Sequence, residues 1–333
     1  MARISVVVPN WNGQARLARL LDSLNQQSER AWEVLVVDNG SSDQSQPTAH
    51  ARAAKWISLN RNYGFARAVN TGIKHATGQA IAILNNDVTV APDYLERLGG
   101  ALENHAFATP KLVMASDPTR LDGTFDLTSR GFCSWRAGHG FPAATAVWNQ
   151  PRVIASAPMT ACLFRRSVFD AVGLLDEQFV SYLEDVDFGI RCALNGVQGY
   201  YEPAAVAWHE GSATLGGEWS TASVKWIARN QVLLSRKYGC SASWPVWAGQ
   251  SLWGLAALKN GAGRAWIQGK IEGYRLHVEA FNDLPITSGR TQEREKLNQI
   301  LRSQEREIQM LLMANSTRQF YWSAYRALTG DAN

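Results

Sequence analysis

Short apolar runs alternate with helical patterns along the first quarter of the chain. A β-branched run at 4–8 is followed by four leucines at the i, i+3, i+4, i+7 spacing of an amphipathic helix: Leu17, Leu20, Leu21 and Leu24. Further apolar runs of strand length occur at 34–37, 56–59 and 81–84. Strands that alternate with helices predict right-handed crossovers and a mostly parallel sheet covered by helices on both faces, which is the α/β class.

Each of these four strands ends in a cluster of small polar residues. The clusters are Pro9-Asn10-Trp11-Asn12, Asp38-Asn39, Asn60-Arg61-Asn62 and Asn85-Asn86-Asp87. Taken singly, each cluster fits an Asx turn, in which the side chain bonds its own backbone. Because the carboxyl ends of parallel strands meet at one edge of a sheet, four such clusters predict a binding cleft at that edge.

The residue types at this edge suit a nucleoside diphosphate and a divalent cation. Asp87 is a hard oxygen ligand for Mg²⁺ or Mn²⁺ beside a diphosphate. The Asp38 carboxylate can accept an N–H from a pyrimidine or the hydroxyls of a ribose. A dinucleotide site would need Gly-x-Gly-x-x-Gly after the first strand, and a P-loop ATPase would need a Walker motif. The sequence has neither motif, so both classes are disfavoured.

Composition and charge narrow the class of protein further. The chain has 333 residues, 46% of them hydrophobic, which suits one large globular domain or a domain with an appendage. A net charge of +4 without a Lys/Arg-rich run argues against nucleic acid. Four widely separated cysteines predict neither a zinc site nor disulfides, so a cytoplasmic location is expected. The sequence shows no leader and no uninterrupted apolar stretch of about 18 residues, so neither export nor a membrane span is predicted.

The motifs of the N-terminal half resemble those of family 2 glycosyltransferases of the GT-A fold. They are Pro9-Asn10-Trp11-Asn12, 36–43, 60–70 with Gly64-Phe65-Ala66, and Leu84-Asn85-Asn86-Asp87. The branch is the rhamnosyltransferase-like one of bacterial surface polysaccharides such as O-antigen. The resemblance implies a Rossmann-like sheet and a nucleotide-sugar site at nine residues: Pro9, Asn10, Asn12, Asp38, Asn39, Asn62, Gly64, Asn70 and Asn86. In the family, an Asp-x-Asp motif stands at 85–87, whereas this chain has Asn85, which leaves Asp87 as the one anionic ligand.

The second half is similar to the acceptor-side block of the same family. The matching segments are 164–169, 172–177 and 182–191, and the resemblance covers about residues 3–235. It implies that Asp185, in the Glu184-Asp185 pair, is the general base. It also implies that His209, which follows the apolar strand 204–208, lies near the metal or the diphosphate.

The acidic residues at 184–187 also have a purely structural interpretation. Acidic side chains near a helix N-terminus interact favourably with the macrodipole, and Asp187 can pair with Arg191 at i+4. We predict that Glu184, Asp187 and Arg191 either support the site or contact the acceptor. Transfer of a sugar needs one base for the acceptor hydroxyl, and a single base with direct displacement inverts the anomeric carbon.

The last part of the chain leaves two alternatives open. The predicted domains are 1–238, with a nucleotide-sugar half at 1–100 and an acceptor half at 101–238, and a helical region at 239–333. The segment 244–276 mixes Trp and Leu with Lys and Arg, which is typical of helices in a membrane interface and equally of helices packed on the catalytic domain. A charged helix at 293–316 carries Leu297, Leu301, Ile308 and Leu311 near heptad spacing, which makes it a packed helix or a homodimer contact.

These observations predict a cytoplasmic, inverting, metal-dependent glycosyltransferase that acts at the inner face of the membrane. By resemblance, the donor is dTDP-rhamnose and the acceptor is a lipid-linked glycan precursor. One rival is a sugar nucleotidyltransferase, although 10–14 lacks the charged, Gly-rich loop it would need. The other rival is a non-catalytic nucleotide- or glycan-binding module of the same fold.

Overall fold

The computed structural model describes residues 3–29, 32–211, 219–277, 290–315 and 319–330. The strands are β1 (Ile4–Asn10), β2 (Trp32–Asp38), β3 (Lys55–Ser58), β4 (Ala80–Leu84), β5 (Val88–Val90), β6 (Phe107–Met114), β7 (Leu121–Gly123), β8 (Asp126–Thr128), β9 (Ser134–Arg136), β10 (Arg152–Ile154), β11 (Ala161–Arg165) and β12 (Gly199–His209). The helices are α1 (Gln14–Asn25), α2 (Ser45–His50), α3 (Phe65–His75), α4 (Tyr94–Ala101), α5 (Arg166–Val172), α6 (Glu184–Leu194), α7 (Thr221–Lys237), α8 (Trp244–Lys259), α9 (Gly263–Arg275), α10 (Arg290–Ala314) and α11 (Phe320–Thr329). Short 3₁₀ helices lie at Ala146–Asn149 and Glu177–Phe179.

The chain forms two compact units. The first consists of residues 1–125 and 138–211, and the second of residues 126–137 and 212–333. The sequence prediction placed a boundary after residue 238, so α7 and the β8–β9 hairpin, which belong to the second unit here, fell in the predicted catalytic domain. The residues of each unit pack mainly among themselves.

The first unit is built on one large mixed sheet. Its strand order is β10-β12-β6-β11-β4-β1-β2-β3, with β5 on β12 and β7 on β6. The strands β3, β2, β1 and β4 are parallel, whereas β11 runs antiparallel between β4 and β6. Most paired residues lie in parallel pairs, so the predicted α/β class with a mostly parallel sheet and a helical C-terminal part is confirmed.

The apolar runs of the sequence form the centre of this sheet. All five residues of β4 and nearly all of β1 are buried. The four leucines of the first predicted helix are at most 2% exposed and pack on the sheet from α1. On α3, Gly72 lies so close to Val7 that an added Cβ would be 2.2 Å from its side chain. Close packing of this kind fixes the register in which Asn10 lies opposite Asp38, so the carboxyl ends of β1 and β2 are level.

Glu33 links the three parallel strands β1, β2 and β3 near their amino ends, opposite the polar ends of the strands. Its Oε1 accepts hydrogen bonds from Ser5 Oγ (2.7 Å) and from the Thr77 backbone N–H (2.9 Å), and Lys55 Nζ donates to Oε2 (2.6 Å). Burial raises the pKa of Glu33, but the hydrogen bonds from Lys55, Thr77 and Ser5 outweigh burial and lower it to about 2. The ionised form is therefore the one that stabilises the fold.

We expect the first unit to lose stability in acid through Glu33. A carboxyl whose pKa is lower in the folded state stabilises above its unfolded pKa, 4.5, and loses that contribution as the pH falls to about 2. The expected loss in free energy of unfolding is roughly 2 kcal/mol, allowing for the exposed Lys55 partner. Urea unfolding of the wild type and of Glu33→Gln across this window measures it. An equal acid dependence in both proteins would contradict the assignment.

The second unit is helical apart from the β8–β9 hairpin. In α9, Gly269 and Gly273 let the helix approach the backbone of α7, because an added Cβ at Gly269 would lie 2.3 Å from the Lys225 carbonyl oxygen. No helix within the described ranges is both long and apolar enough to cross a membrane.

The heptad-like stripe of α10 is buried within its own chain. The four predicted residues are at most 2% exposed. Beside them, Gln304 accepts a hydrogen bond from the Thr128 N–H (2.6 Å), and Glu305 is paired with Arg130 (2.8 Å) and Tyr325 (2.8 Å). Of the two interpretations of this stripe, the packed helix is the one that the structure shows.

Candidate active site

The polar ends of β1, β2 and β4 form one hydrogen-bonded network. Asn10 Nδ2 donates to Asp38 Oδ1 (3.2 Å) and Ser41 Oγ (3.3 Å), and Asn10 Oδ1 accepts from Asn86 Nδ2 (2.8 Å). Ser41 donates from its backbone N–H to Asp38 Oδ2 (2.8 Å). Gly13 lies directly on this network, because an added Cβ would be 2.1 Å from Asn86 Nδ2. Three of the predicted nucleotide-sugar residues are therefore held together at the predicted edge.

Loops extend this network on both sides. Asn12, with φ of +47°, accepts the Ser42 N–H on its Oδ1 (2.9 Å) and follows Pro9 at the end of β1. Asn39 donates to the Gly64 carbonyl oxygen (3.2 Å), and Asn62 accepts the Gly64 N–H (2.9 Å). These side chains fix the loop between β3 and α3 beside the end of β2.

Asn70 has a different position from the other predicted nucleotide residues. It lies buried in α3, where it bonds both the N–H and the carbonyl oxygen of Leu175 (3.0 and 2.8 Å) and the side chain of Glu177 (3.1 Å). The structure therefore does not bring Asn70 into the network around Asn10. It fastens α3 to the segment that precedes α6.

The segment before α6 is packed against the start of α3 in an unusual backbone conformation. Val180, Tyr182 and Leu183 have φ between +63° and +69°, which is strained for residues with side chains. Gly64 packs on this segment, since an added Cβ would lie 2.4 Å from the Val180 carbonyl oxygen, and the Phe65 N–H donates to Ser181 Oγ (3.3 Å). The loop between β3 and α3 thus contacts the segment that precedes α6.

The first turn of α6 carries the predicted base. Asp185 is half-buried, and its carboxylate accepts the Val186 N–H (2.8 Å). The adjacent Glu184 is buried, and its Oε2 has no hydrogen-bond partner among the described residues. Burial first, and then the charge of Asp185, raise the pKa of Glu184 well above its usual range. The two neighbouring carboxyls therefore differ, because Glu184 is buried with a raised pKa whereas Asp185 is half-buried.

Asp187 and Arg191 hold α6 in place from inside the protein. Both are buried, with Arg191 Nε 3.0 Å from Asp187 Oδ2, and Arg191 also donates to the carbonyl oxygens of Val172 and Leu174. One turn beyond Asp185, Gly189 packs on Ser156 in the loop that precedes β11. Thr160, in the same loop, accepts the Asn85 N–H (2.9 Å), so this loop contacts both α6 and the end of β4.

A histidine between two carboxylates lies at the other side of this edge. The pairing of β5 with β12 places His209 opposite Val88 and hence next to Asp87, with 3.3 Å between His209 Nε2 and Asp87 Oδ1. Asp122 Oδ2 lies 2.9 Å from His209 Nδ1. The β6–β7 register shifts at Asp122, and bulges of this kind commonly re-aim a side chain beside an active site.

The charges of this group require a cation. Burial lowers the pKa of His209, but hydrogen bonds to Asp122 and Asp87 outweigh burial and raise it to about 9. The imidazolium then neutralises one of the two carboxylates, and the group keeps one negative charge. A divalent cation at Asp87 would supply two positive charges, and Asp122 would orient His209, as outer carboxylates do for metal-bound histidines.

The residues at Asp87 fit a divalent ion that is shared with a substrate. Asn85 Oδ1 and Asp87 Oδ1 are both buried. The Asn85 oxygen accepts no hydrogen bond from the described residues, and the Asp87 oxygen lies 3.3 Å from His209 Nε2, so an ion can use both oxygens as ligands. No cluster of three or more His, Cys, Asp or Glu side chains in the described parts of the chain forms a complete metal site. Mg²⁺ is typically bound by one or two carboxylates, with substrate phosphates completing the shell.

A cavity of about 180 Å³ opens beside Asp87. Its lining residues are Arg16, Arg19, Asp87, Val88, Thr89, Ala115, Trp208 and Glu210. Arg19 is paired with Glu210. Asp122, Arg16 and Arg19 were not among the residues predicted from the sequence. Only the two arginines had a local signal, because their spacing places them on one face of a helix.

The sequence of the chain matches a known family. The family model "Glycosyl transferase family 2" matches residues 5–173, about half of the chain. The chain belongs to this family. The match begins at β1 and runs through β4, Asp87 and β11. The network around Asn10 and the residue Asp87 therefore lie within the matched segment of this family 2 glycosyltransferase.

Curated relatives of this family 2 glycosyltransferase include two transferases whose names contain a polyprenyl carrier. The N-acetylglucosaminyl-diphospho-decaprenol L-rhamnosyltransferase of Mycobacterium tuberculosis is 28% identical over 242 residues, which cover 64% of this chain and 78% of the relative. An uncharacterised glycosyltransferase of Bacillus subtilis is 25% identical over 193 residues, covering 57% and 68%. An undecaprenyl-phosphate 4-deoxy-4-formamido-L-arabinose transferase of Sodalis glossinidius is 34% identical over 105 residues, covering 29% and 32%.

Solved structures show the same fold. The crystal structure of GalNAc-T7 with UDP, GalNAc and Mn²⁺ aligns with a TM-score of 0.61 at 15% identity and covers 76% of this chain. This chain spans about half of that structure, 51%. The mannosyltransferase PcManGT from Pyrobaculum calidifontis, in complex with GDP-Man and Mn²⁺, aligns with a TM-score of 0.52 at 16% identity, covering 98% of this chain and 86% of that one.

Proposed function

We propose that this glycosyltransferase moves a sugar, with inversion, from a nucleoside diphosphate to a lipid-linked glycan precursor at the inner face of a bacterial membrane. The observation that carries the proposal is a pair of buried oxygens, Asn85 Oδ1 without a hydrogen-bond partner among the described residues and Asp87 Oδ1 beside His209. They adjoin the network that links Asn10, Asp38 and Asn86. This arrangement combines a nucleotide-binding edge with a place for a cation.

The chain's own residues divide the work of transfer. The Asp38 carboxylate and the loops at Asn12, Asn39 and Asn62 bind the nucleoside, and Asp87, next to His209, would hold Mg²⁺ or Mn²⁺. When bound, the cation would neutralise the negative charge that develops on the leaving diphosphate.

Asp185 accepts the proton of the acceptor hydroxyl as that oxygen bonds to the anomeric carbon and the bond from that carbon to the diphosphate breaks. Because the nucleophile attacks the face opposite the leaving group, the product anomer is inverted. Burial raises the pKa of the adjacent Glu184, which favours the protonated form of that carboxyl.

The identity of the donor and acceptor is supported by relatives alone. The mycobacterial relative is named as a rhamnosyltransferase that acts on a decaprenyl-linked sugar, and the Sodalis relative as a transferase to undecaprenyl phosphate. We therefore propose dTDP-rhamnose as donor and a polyprenyl-diphosphate-linked glycan as acceptor. The division into a catalytic region at 1–238 and a helical region at 239–333, and a homodimer, remain proposals.

A panel of nucleotide-sugars tests this function. Each donor is incubated with the protein, with Mn²⁺ or with EDTA, and with a short-chain polyprenyl-diphosphate glycan. Release of the nucleoside diphosphate is measured, and the product anomer is read by NMR. We expect turnover of dTDP-rhamnose that EDTA abolishes and a product of inverted configuration. Binding without turnover of any donor would favour a non-catalytic module, and retention at the anomeric carbon would exclude direct displacement.

A further inference from the structure

The second unit carries most of the large apolar side chains that are exposed in the described part of the chain. In the described part of the chain, all the exposed large apolar side chains except Trp11 and Val153 belong to this unit. Seven of them lie on the α8–α9 hairpin and are 47–66% exposed: Trp244, Trp247, Leu255, Leu258, Ile267, Ile271 and Tyr274. Patches of this kind on a protein surface mark an interaction site more often than single exposed residues do.

On α8 these side chains form a continuous stripe. Trp244, Trp247, Ser251, Leu255 and Leu258 are exposed and fall within an arc of about 80° on the helix. The opposite side of the helix carries the buried positions, among them Val246, Gln250 and Ala257. The helix is therefore apolar on the side that faces solvent as well as on the side that is packed.

On α9 a second stripe combines apolar and basic side chains. The exposed residues fall within an arc of about 120°: Arg264, Ile267, Gln268, Ile271, Tyr274 and Arg275. The opposite side approaches α7 through Gly269 and Gly273. The two helices are joined as a hairpin, because Gly254 of α8 packs on the ring of Trp266 in α9.

The charge on this hairpin has one sign. Lys259, Arg264 and Arg275 are exposed, whereas the one acidic residue between 244 and 277, Glu272, is half-buried and paired with Lys225 (2.8 Å). The hairpin therefore exposes Trp, Tyr, Leu and Ile next to Lys and Arg, with no exposed acidic residue beside them between 244 and 277. This composition is typical of helices that lie in the interface of an anionic bilayer.

We propose that the exposed face of the α8–α9 hairpin binds the surface of an anionic lipid bilayer. The apolar stripes enter the boundary between head groups and acyl chains, and the three cations bind anionic head groups. The binding is peripheral, which agrees with the absence of a membrane-crossing helix in the described ranges. It would bring the proposed transferase to the membrane that carries its lipid-linked acceptor, but the surface is defined by the hairpin alone and does not depend on the sugar chemistry.

A second copy of the chain is a poorer occupant of this face. In a two-fold symmetric dimer the same patch meets itself, so the face that carries Lys259, Arg264 and Arg275 would pack against a face with the same three cations. The hairpin offers no exposed carboxylate to neutralise them, and like charges at an interface disfavour association. Anionic head groups supply the charge that the face lacks.

Vesicle flotation of the full chain tests this proposal. We expect the protein to float with vesicles of phosphatidylcholine mixed with phosphatidylglycerol, less with phosphatidylcholine alone, and less in raised salt because the head-group attraction is screened. The variant Trp247→Ser/Leu255→Ser/Leu258→Ser should lower partitioning by about tenfold or more. Lys259→Gln/Arg264→Gln/Arg275→Gln should remove the preference for the anionic vesicles.

A matched control removes exposed apolar side chains elsewhere in the same unit. Met310→Ser/Met313→Ser changes two exposed residues of α10 and should leave flotation unchanged. Because all the substituted side chains are exposed, thermal unfolding should be unchanged and confirms that each variant is folded.

Three outcomes would overturn the proposal. They are failure of the wild type to float, equal flotation of the wild type and the apolar variant, or a dimer in light scattering that the apolar variant alone dissociates. Hydrolysis of the nucleotide-sugar in solution is measured in parallel. Its absence in a protein that still floats would contradict the proposed transfer and leave the lipid-binding surface in place.

Discussion

Replacing Asp185 by Asn is expected to lower kcat for sugar transfer by about 10²–10⁴-fold, the usual contribution of a positioned general base. The amide keeps the size of the side chain but cannot accept the acceptor proton at neutral pH. Binding of the nucleotide-sugar should be nearly unchanged, because Asn10 and Asp38, which form the network, lie on β1 and β2 and not on α6. Single-turnover transfer and isothermal titration with the donor measure the two effects separately.

Glu184→Gln is the matched control for this variant. Burial raises the pKa of the Glu184 carboxyl well above the usual range, which favours the neutral form that an amide mimics. We expect it to retain most of the transfer activity. If Asp185→Asn transfers at the wild-type rate while Glu184→Gln is inactive, the assignment of the base to Asp185 is wrong.

Replacing Asp87 by Asn is expected to lower kcat/KM by about 10²-fold or more, since loss of a bound cation removes several kcal/mol of stabilisation from the leaving diphosphate. Asp87 is the one carboxylate in the segment 85–87, and its Oδ1 is buried beside His209 Nε2 (3.3 Å). The activity of this variant should stay low at every Mn²⁺ concentration.

Asp122→Asn provides a graded comparison with Asp87→Asn. Asp122 contacts His209 and not the proposed ion position, so its loss should weaken metal affinity by about 10–100-fold and raised Mn²⁺ should restore activity. Activity as a function of Mn²⁺ concentration distinguishes the two variants. Full activity of Asp87→Asn in the presence of EDTA would disprove the metal-dependent mechanism.

Much of the fold could be predicted because its signals are local. The apolar runs at β1, β2, β3 and β4, and the leucines of α1, appear in the structure within one or two residues of the predicted bounds. Strand and helix periodicity depend on neighbouring residues, and buried parallel strands are almost continuously apolar. The polar clusters at their ends could be placed at one edge for the same reason, since parallel strands share a direction.

Residues whose positions depend on long-range packing could not be assigned from their sequence neighbours. Asp122 lies 2.9 Å from His209 but is 87 residues away in the chain, and it follows no motif. The resemblance placed Asn70 with the nucleotide site, whereas tertiary contacts direct it to Leu175, 105 residues later. The heptad spacing of α10 fitted a partner helix as well as a packed one, and only the contacts of Gln304 and Glu305 with 128–130 decided between them.

The sequence by itself determined the α/β class and proposed the strand ends as a nucleotide site and the carboxylates of Asp87 and Asp185 as candidates, because periodicity and residue type act over a few positions. The tertiary structure decided which side chains meet: the Asp87–His209–Asp122 group, the loop at 174–183 that sets α6, and the outward-facing stripes of α8 and α9. Those contacts arise from strand register, a bulge in β7 and close packing at glycines. Each of these joins segments that are far apart in the chain.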